Sequence, residues 1–135
     1  MSQTPYELIG GEATVRALVK RFYSLMDSLP EVSTLRAIHA PDLSDAEEKL
    51  YLFLSGWLGG PNLYVDRFGP PFLRARHLPF SIGVAERDQW MHCMRQALAE
   101  HVADEALRAK LLTAFSSLAD HMRNRAESPN PGIPV

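Results

Sequence analysis

The stretch Pro70-Pro-Phe-Leu-Arg-Ala-Arg-His-Leu-Pro-Phe-Ser-Ile-Gly83 decides how this chain is read. Prolines at 70, 71 and 79 and the glycine at 83 leave room for little more than one and a half helical turns. The spacing predicts one short helix, from Pro71 at its first position to His77, stopped by Pro79. A chain that is helical elsewhere interrupts itself here to present a single histidine, His77, beside Arg74 and Arg76.

Upstream, Val15, Leu18, Val19, Phe22, Leu25, Met26 and Leu29 recur every three or four positions, the stripe of a long helix that Pro30 ends. Gly10 and Gly11 form a joint between that helix and a short lead-in over residues 6–9. Residues 30–43 read as irregular, with one turn around 35–38. Ser44-Asp45-Ala46-Glu47 fits a capping box opening a second helix. Its Ala46, Leu50, Phe53, Leu54 and Trp57 share one face, and Glu47, Glu48, Lys49 and Tyr51 cover the others. Gly59-Gly60-Pro61 ends it, and residues 61–83 read as irregular apart from the His77 helix.

After Gly83 a third long helix carries Trp90, Met91, Met94, Ala97 and Leu98, with Glu86 and Asp88 near its positive end. Asp104 is the expected cap of a fourth, carrying Leu107, Leu111, Leu112, Phe115, Leu118, Ala119 and Met122. No segment alternates as a strand does. Four amphipathic helices must bury their stripes on one another, so the class is all-α. One domain is expected over residues 1–127, followed by a Pro-rich, disordered tail at 128–135.

Composition narrows the function classes. The chain has 135 residues, of which 46% are hydrophobic and 22% charged, and no apolar run is long enough for a membrane span. The N-terminal stretch lacks the basic start and apolar segment of a secretory signal, so the expected location is cytoplasmic. A net charge of −2 offers no electrostatic footprint for nucleic acid. Cys93 is the lone cysteine and is expected to pack between helices.

The histidines are His39, His77, His92, His101 and His121. No His-Glu-x-x-His, paired-cysteine, phosphate-loop or serine-elbow motif accompanies them, which weakens zinc, nucleotide and serine-hydrolase readings. Haem, in contrast, asks the protein for a single imidazole, because the porphyrin supplies four nitrogens. It also asks for an apolar slot and for cations at its carboxylate edge. His77 could be the ligand and Arg74 and Arg76 the cations, with Phe72, Leu73, Phe80 and Ile82 walling that side. The Leu73 carbonyl, one turn back, could accept the ring N–H and fix the tautomer. On spacing alone, a surface histidine beside arginines is the commoner reading.

Several runs, in order, resemble the group II truncated haemoglobins: Gly10-Gly11, Arg21-Phe-Tyr23, Ala46-Glu-Glu-Lys-Leu50, Phe53-Leu54, Trp57-Leu-Gly-Gly-Pro61, Arg74-Ala-Arg-His-Leu-Pro-Phe80 and Glu86-Arg-Asp-Gln-Trp90. The resemblance runs from about Pro5 to Met122 and implies a truncated globin, a two-on-two helical sandwich around haem b (iron protoporphyrin IX). It implies that His77 is the proximal iron ligand and that Tyr23 and Trp90 are distal hydrogen-bond donors. Phe22, Ala46, Leu50, Phe53, Leu54, Tyr64 and Met94 then join the proximal residues around the cofactor, with Tyr64 near the propionates. Ala46 takes the position of the distal histidine of longer globins, and His39 stands where globins usually carry Phe. That departure makes His39 a third candidate donor, to Tyr23 or to the ligand.

The function implied is reversible binding of O2, CO or NO, with slow O2 release. The enzymatic alternative is nitric oxide dioxygenation or peroxide reduction fed by a separate reductase, and the reading leans to binding. A homodimer is left open. His92, His101 and His121 receive no role.

Overall fold

The computed structural model describes residues 3–124, so the expected tail at 128–135 lies outside the described residues. All regular structure among the described residues is helical: α1 (Pro5–Ile9), α2 (Glu12–Ser28), a 3-10 turn (Pro30–Val32), α3 (Ser33–Ala37), α4 (Ser44–Trp57), α5 (Leu63–Phe68), α6 (Leu73–His77), α7 (Val84–His101) and α8 (Glu105–His121). None of these helices is long and apolar enough to cross a membrane.

The α2 stripe behaves as its periodicity predicts. Val15, Leu18, Val19, Phe22, Leu25 and Met26 are all buried, against α7 on one side and α4 on the other. Helix α7 in turn packs on α8, where Phe115 and Leu111 meet it. The result is two helix pairs, α2/α4 and α7/α8, laid across each other. The Asp104 cap expected for α8 is present, and Glu86, expected only as a favourable charge near the positive end of α7, caps that helix as well. The Asp104 carboxylate accepts from the Leu107 N–H at 3.0 Å, and the Glu86 carboxylate accepts from the Gly83 N–H at 2.7 Å.

Four local expectations are corrected. Ser44 is the first residue of α4, not its cap, and its hydroxyl donates to Asp42 at 2.6 Å. Asp42 also accepts from the Ser44 N–H at 2.8 Å, an Asx-type turn that does the work expected of the capping box. Tyr51, placed on an outer face by pattern, is buried because α2 crosses there, and its hydroxyl donates to Glu12 at 3.2 Å. Residues 61–83 contain a further helix, α5, which packs on α4 and buries Tyr64. Helix α6 begins at Leu73 rather than Pro71, since Phe72 takes a left-handed conformation with φ of 45°.

The lead-in α1 is held where α4 ends. The Tyr6 N–H donates to the Leu58 carbonyl at 2.9 Å, and the Tyr6 ring lies over Gly60 so closely that a Cβ there would meet ring carbons at 2.5 to 2.7 Å. Gly60→Ala is therefore expected to lower stability by about 1–3 kcal/mol, read as a drop in the thermal melting midpoint.

Candidate functional site

The His77 segment is short of partners of its own. Phe72, Leu78 and Phe80 are 66%, 53% and 42% exposed, half of the large apolar side chains left exposed among the described residues. The reason is local: α6 is only five residues long, too short to bury two faces, and Pro79 prevents its extension. Phe80 stands edge-on to the His77 ring with centroids 6.4 Å apart, and Ile82 alone of the expected wall is buried. Leu73 is half-buried.

The ring orientation of His77 is set one turn back. Its Nδ1 lies 2.6 Å from the Leu73 carbonyl oxygen. A carbonyl can only accept, so Nδ1 carries the proton and Nε2 keeps its lone pair.

On the α2 side the geometry centres on Phe22. Its ring touches Tyr23 and Trp90, both with centroids at 5.0 Å. Tyr23 meets His39 edge-on at 6.1 Å. Burial, with Glu47 adding to it, raises the Tyr23 phenol well above its ordinary range, so the hydroxyl stays a donor. His39 is held by its Nδ1, 2.9 Å from the Leu35 carbonyl. The N–H of the same Leu35 donates to Gln89 at 2.9 Å, tying α3 to the residue next to Trp90. Burial, followed by Arg36 and His77, lowers the His39 pKa, which keeps the ring neutral near pH 7.

Helix α4 supplies the side wall. Ala46, Leu50, Phe53 and Trp57 form a half-buried stripe, with Phe53 stacked on Trp57 at 6.3 Å and edge-on to Tyr64 at 6.4 Å. Trp57 and Trp90 both pack against Phe115, at 4.8 and 5.8 Å. Phe22, Leu54 and Met94 were expected at the cofactor surface, but each has 0% exposure. They belong to the helix-to-helix core.

The two arginines diverge. One Arg74 nitrogen donates to the carbonyls of His121 and Arg123, at 2.9 and 2.7 Å, so this guanidinium is drawn toward the end of α8. Arg76 donates through Nε to the Pro71 carbonyl at 2.6 Å and lies 5.8 Å from the centre of the Tyr64 ring. Elsewhere, Cys93 is fully buried and burial pushes its thiol up to about 11. His92 lies 3.7 Å from Glu31 on the surface. Sequence reasoning missed Gln89 and Asn124, whose contacts span 54 and more than 40 residues and leave no periodic signal.

A two-on-two helical sandwich of this kind has the architecture of a small globin. The comparisons agree. The family profile for bacterial-like globins matches residues 4–124. Group 2 truncated hemoglobin YjbI of Bacillus subtilis is 41% identical over 125 residues, covering 92% of this chain and 91% of its own. A group II two-on-two hemoglobin from Agrobacterium tumefaciens superposes with a TM-score of 0.89 at 51% identity, covering 91% of this chain and 95% of that one. A truncated oxygen-avid haemoglobin from Bacillus subtilis does so with 0.82 at 38%, covering 90% and 100%. The chain belongs to the bacterial-like globin family and, within it, to the group II truncated haemoglobins.

Globins are haem proteins, and the residues present fit that group. The Tyr23 hydroxyl, the Trp90 indole N–H and the Nε2 atoms of His39 and His77 make no hydrogen bond among the described residues, and Tyr23 as a residue is only 7% exposed. Exposed Phe72 and Phe80 and the half-buried α4 stripe offer apolar surface left partly open among the described residues. No three His, Cys, Asp or Glu side chains among the described residues cluster to hold a bare metal ion, whereas a porphyrin needs one.

Proposed function

We propose that this protein holds haem b through His77 Nε2 and binds O2 and other diatomic gases reversibly, with Tyr23 and Trp90 as hydrogen-bond donors that slow release. The observation that carries the reading is the 2.6 Å contact from His77 Nδ1 to the Leu73 carbonyl. It leaves the metal-binding nitrogen bare and adds electron density to the imidazole. When bound, haem would supply an iron able to take up a diatomic gas.

The chain's own residues then decide how long the gas stays. Tyr23 is neutral and has no competing acceptor at neutral pH other than His39, so its O–H is available to a ligand that gains negative charge. Trp90 can only donate. The hydrophobic rings of Phe22 and Phe115 around these donors keep water from competing for them. Arg76 and Tyr64 remain the pair best placed for the propionates, Arg74 being committed elsewhere. The oxygen-avid relative supports slow release in this one.

We assign His39 a different role: with its Nδ1–H spent on Leu35, neutral His39 offers Nε2 as an acceptor to the neighbouring Tyr23 hydroxyl, a bond expected to compete with the ligand for that proton. Protonation adds an Nε2–H and frees Tyr23. Because burial lowers this pKa, the change falls below the ordinary value of 6.5. O2 dissociation is thus expected to slow severalfold as pH falls from 7 toward 5, and His39→Phe to abolish the step. Stopped-flow release into CO measures it; an identical pH profile in the variant would remove His39 from the distal network.

The test of the whole reading is an absorption and resonance Raman series on the ferric, ferrous, O2 and CO forms. One reversibly bound gas per chain supports the proposal. Sustained peroxide- or NO-dependent turnover with an added reductase would favour the redox alternative.

A further inference from the structure

Helix α8 ends beside the His77 segment, and the contacts there run in both directions. The Asn124 side-chain amide donates to the carbonyls of His77 itself and of Phe80, at 3.1 and 2.8 Å. Its Oδ1 accepts from the Ile82 N–H at 3.0 Å, and its backbone N–H donates to the Ile82 carbonyl at 2.8 Å. Arg74, from the other end of α6, donates to the carbonyls of His121 and Arg123. These carbonyls lie at the end of α8, where a helix leaves acceptors unsatisfied and favours a cation.

From this clasp we infer that Asn124, seconded by Arg74, is a positioning residue for His77: the end of α8 sets the height and tilt of the imidazole. The need for such a device follows from α6 itself. The segment has five helical residues, starts at a left-handed Phe72 and leaves three large apolar side chains exposed, so its own packing does not hold it. The carbonyl of His77 belongs to the very residue whose ring must meet the iron, and a bond to it fixes the backbone from which the ring hangs. This inference rests on the reading of His77 as the iron ligand.

Asn124→Asp separates the two halves of the clasp. The acceptor for Ile82 stays, while both donors are replaced by an oxygen facing two carbonyls. The expected result is a folded protein that still takes up haem, with an iron–histidine stretching band in the ferrous unliganded form that is shifted and broadened. Haem transfer to apomyoglobin should quicken about 10-fold, as expected for two lost hydrogen bonds. Arg74→Met should move the band in the same sense, and Asn124→Gln should restore part of it. A band unchanged in Asn124→Asp overturns the inference while leaving His77 as ligand, whereas absence of any iron–histidine band in the unsubstituted protein overturns the underlying reading. Should Asn124→Asp not fold, hydrogen exchange in the unsubstituted protein decides. The amides of Ile82 and Asn124 must then exchange as slowly as those inside α8, and exchange at the rate of an open loop refutes the clasp.

Discussion

Replacing His77 with glycine is expected to remove the Soret band from the purified protein and to weaken haem affinity by more than about 100-fold. The size follows from comparison with less severe changes: loss of a group that merely orients a ligand costs ~10–100-fold, and here the ligand itself is gone. Two of the other histidines are held away from α6. His39 is held at Nδ1 by Leu35 on α3, and His92 lies on the surface near Glu31. The cavity left by the ring should admit free imidazole, so adding millimolar imidazole should bring the band back. Retention of a full-strength, unshifted Soret band in the glycine variant would mean that the iron is held elsewhere.

The second large effect concerns Tyr23. A hydrogen bond to a partly charged acceptor contributes ~1.5–3 kcal/mol, so Tyr23→Phe should accelerate O2 dissociation by about 10- to 100-fold. The ring keeps its edge-on contact with Phe22 at 5.0 Å, so the fold should be little affected. CO, which gains less negative charge, should leave at nearly the same rate. That contrast separates a lost donor from a widened exit. If O2 and CO release accelerate equally, the hydroxyl is not the group that retains O2. Trp90→Phe is expected to act in the same direction but less strongly, since Trp90 is only half-buried and its packing on Phe22 and Phe115 is kept by another aromatic ring.

The long helices were legible because periodic burial acts over neighbouring turns. The α2 stripe, the Asp104 cap and the stop before Pro79 each depend on residues within about four positions of one another. Tyr51 escaped the same logic. Its burial comes from α2 crossing α4, and a helical wheel cannot register which neighbour covers a flank. Helix α5 escaped for a related reason: prolines at 61 and 70 mark its limits but say nothing of the six residues Leu63–Phe68 that fit between them.

The candidate site divides along the same line. His77 and its bond to Leu73 are one helical turn apart, so the chain alone determines that an imidazole is presented with Nε2 bare. The proposed distal residues Tyr23, His39 and Trp90 come from α2, the loop after α3, and α7. Only tertiary packing, through Phe22 touching both Tyr23 and Trp90, brings them together. The sequence by itself thus determined an all-helical chain broken around one histidine, because those choices are made by local sterics and periodicity. The tertiary structure alone decided that Arg74 turns to α8, that His39 presents an acceptor, and that Asn124 grips the His77 backbone. Each of those depends on hydrogen bonds or packing between groups whose separation in the chain bears no relation to their separation in space.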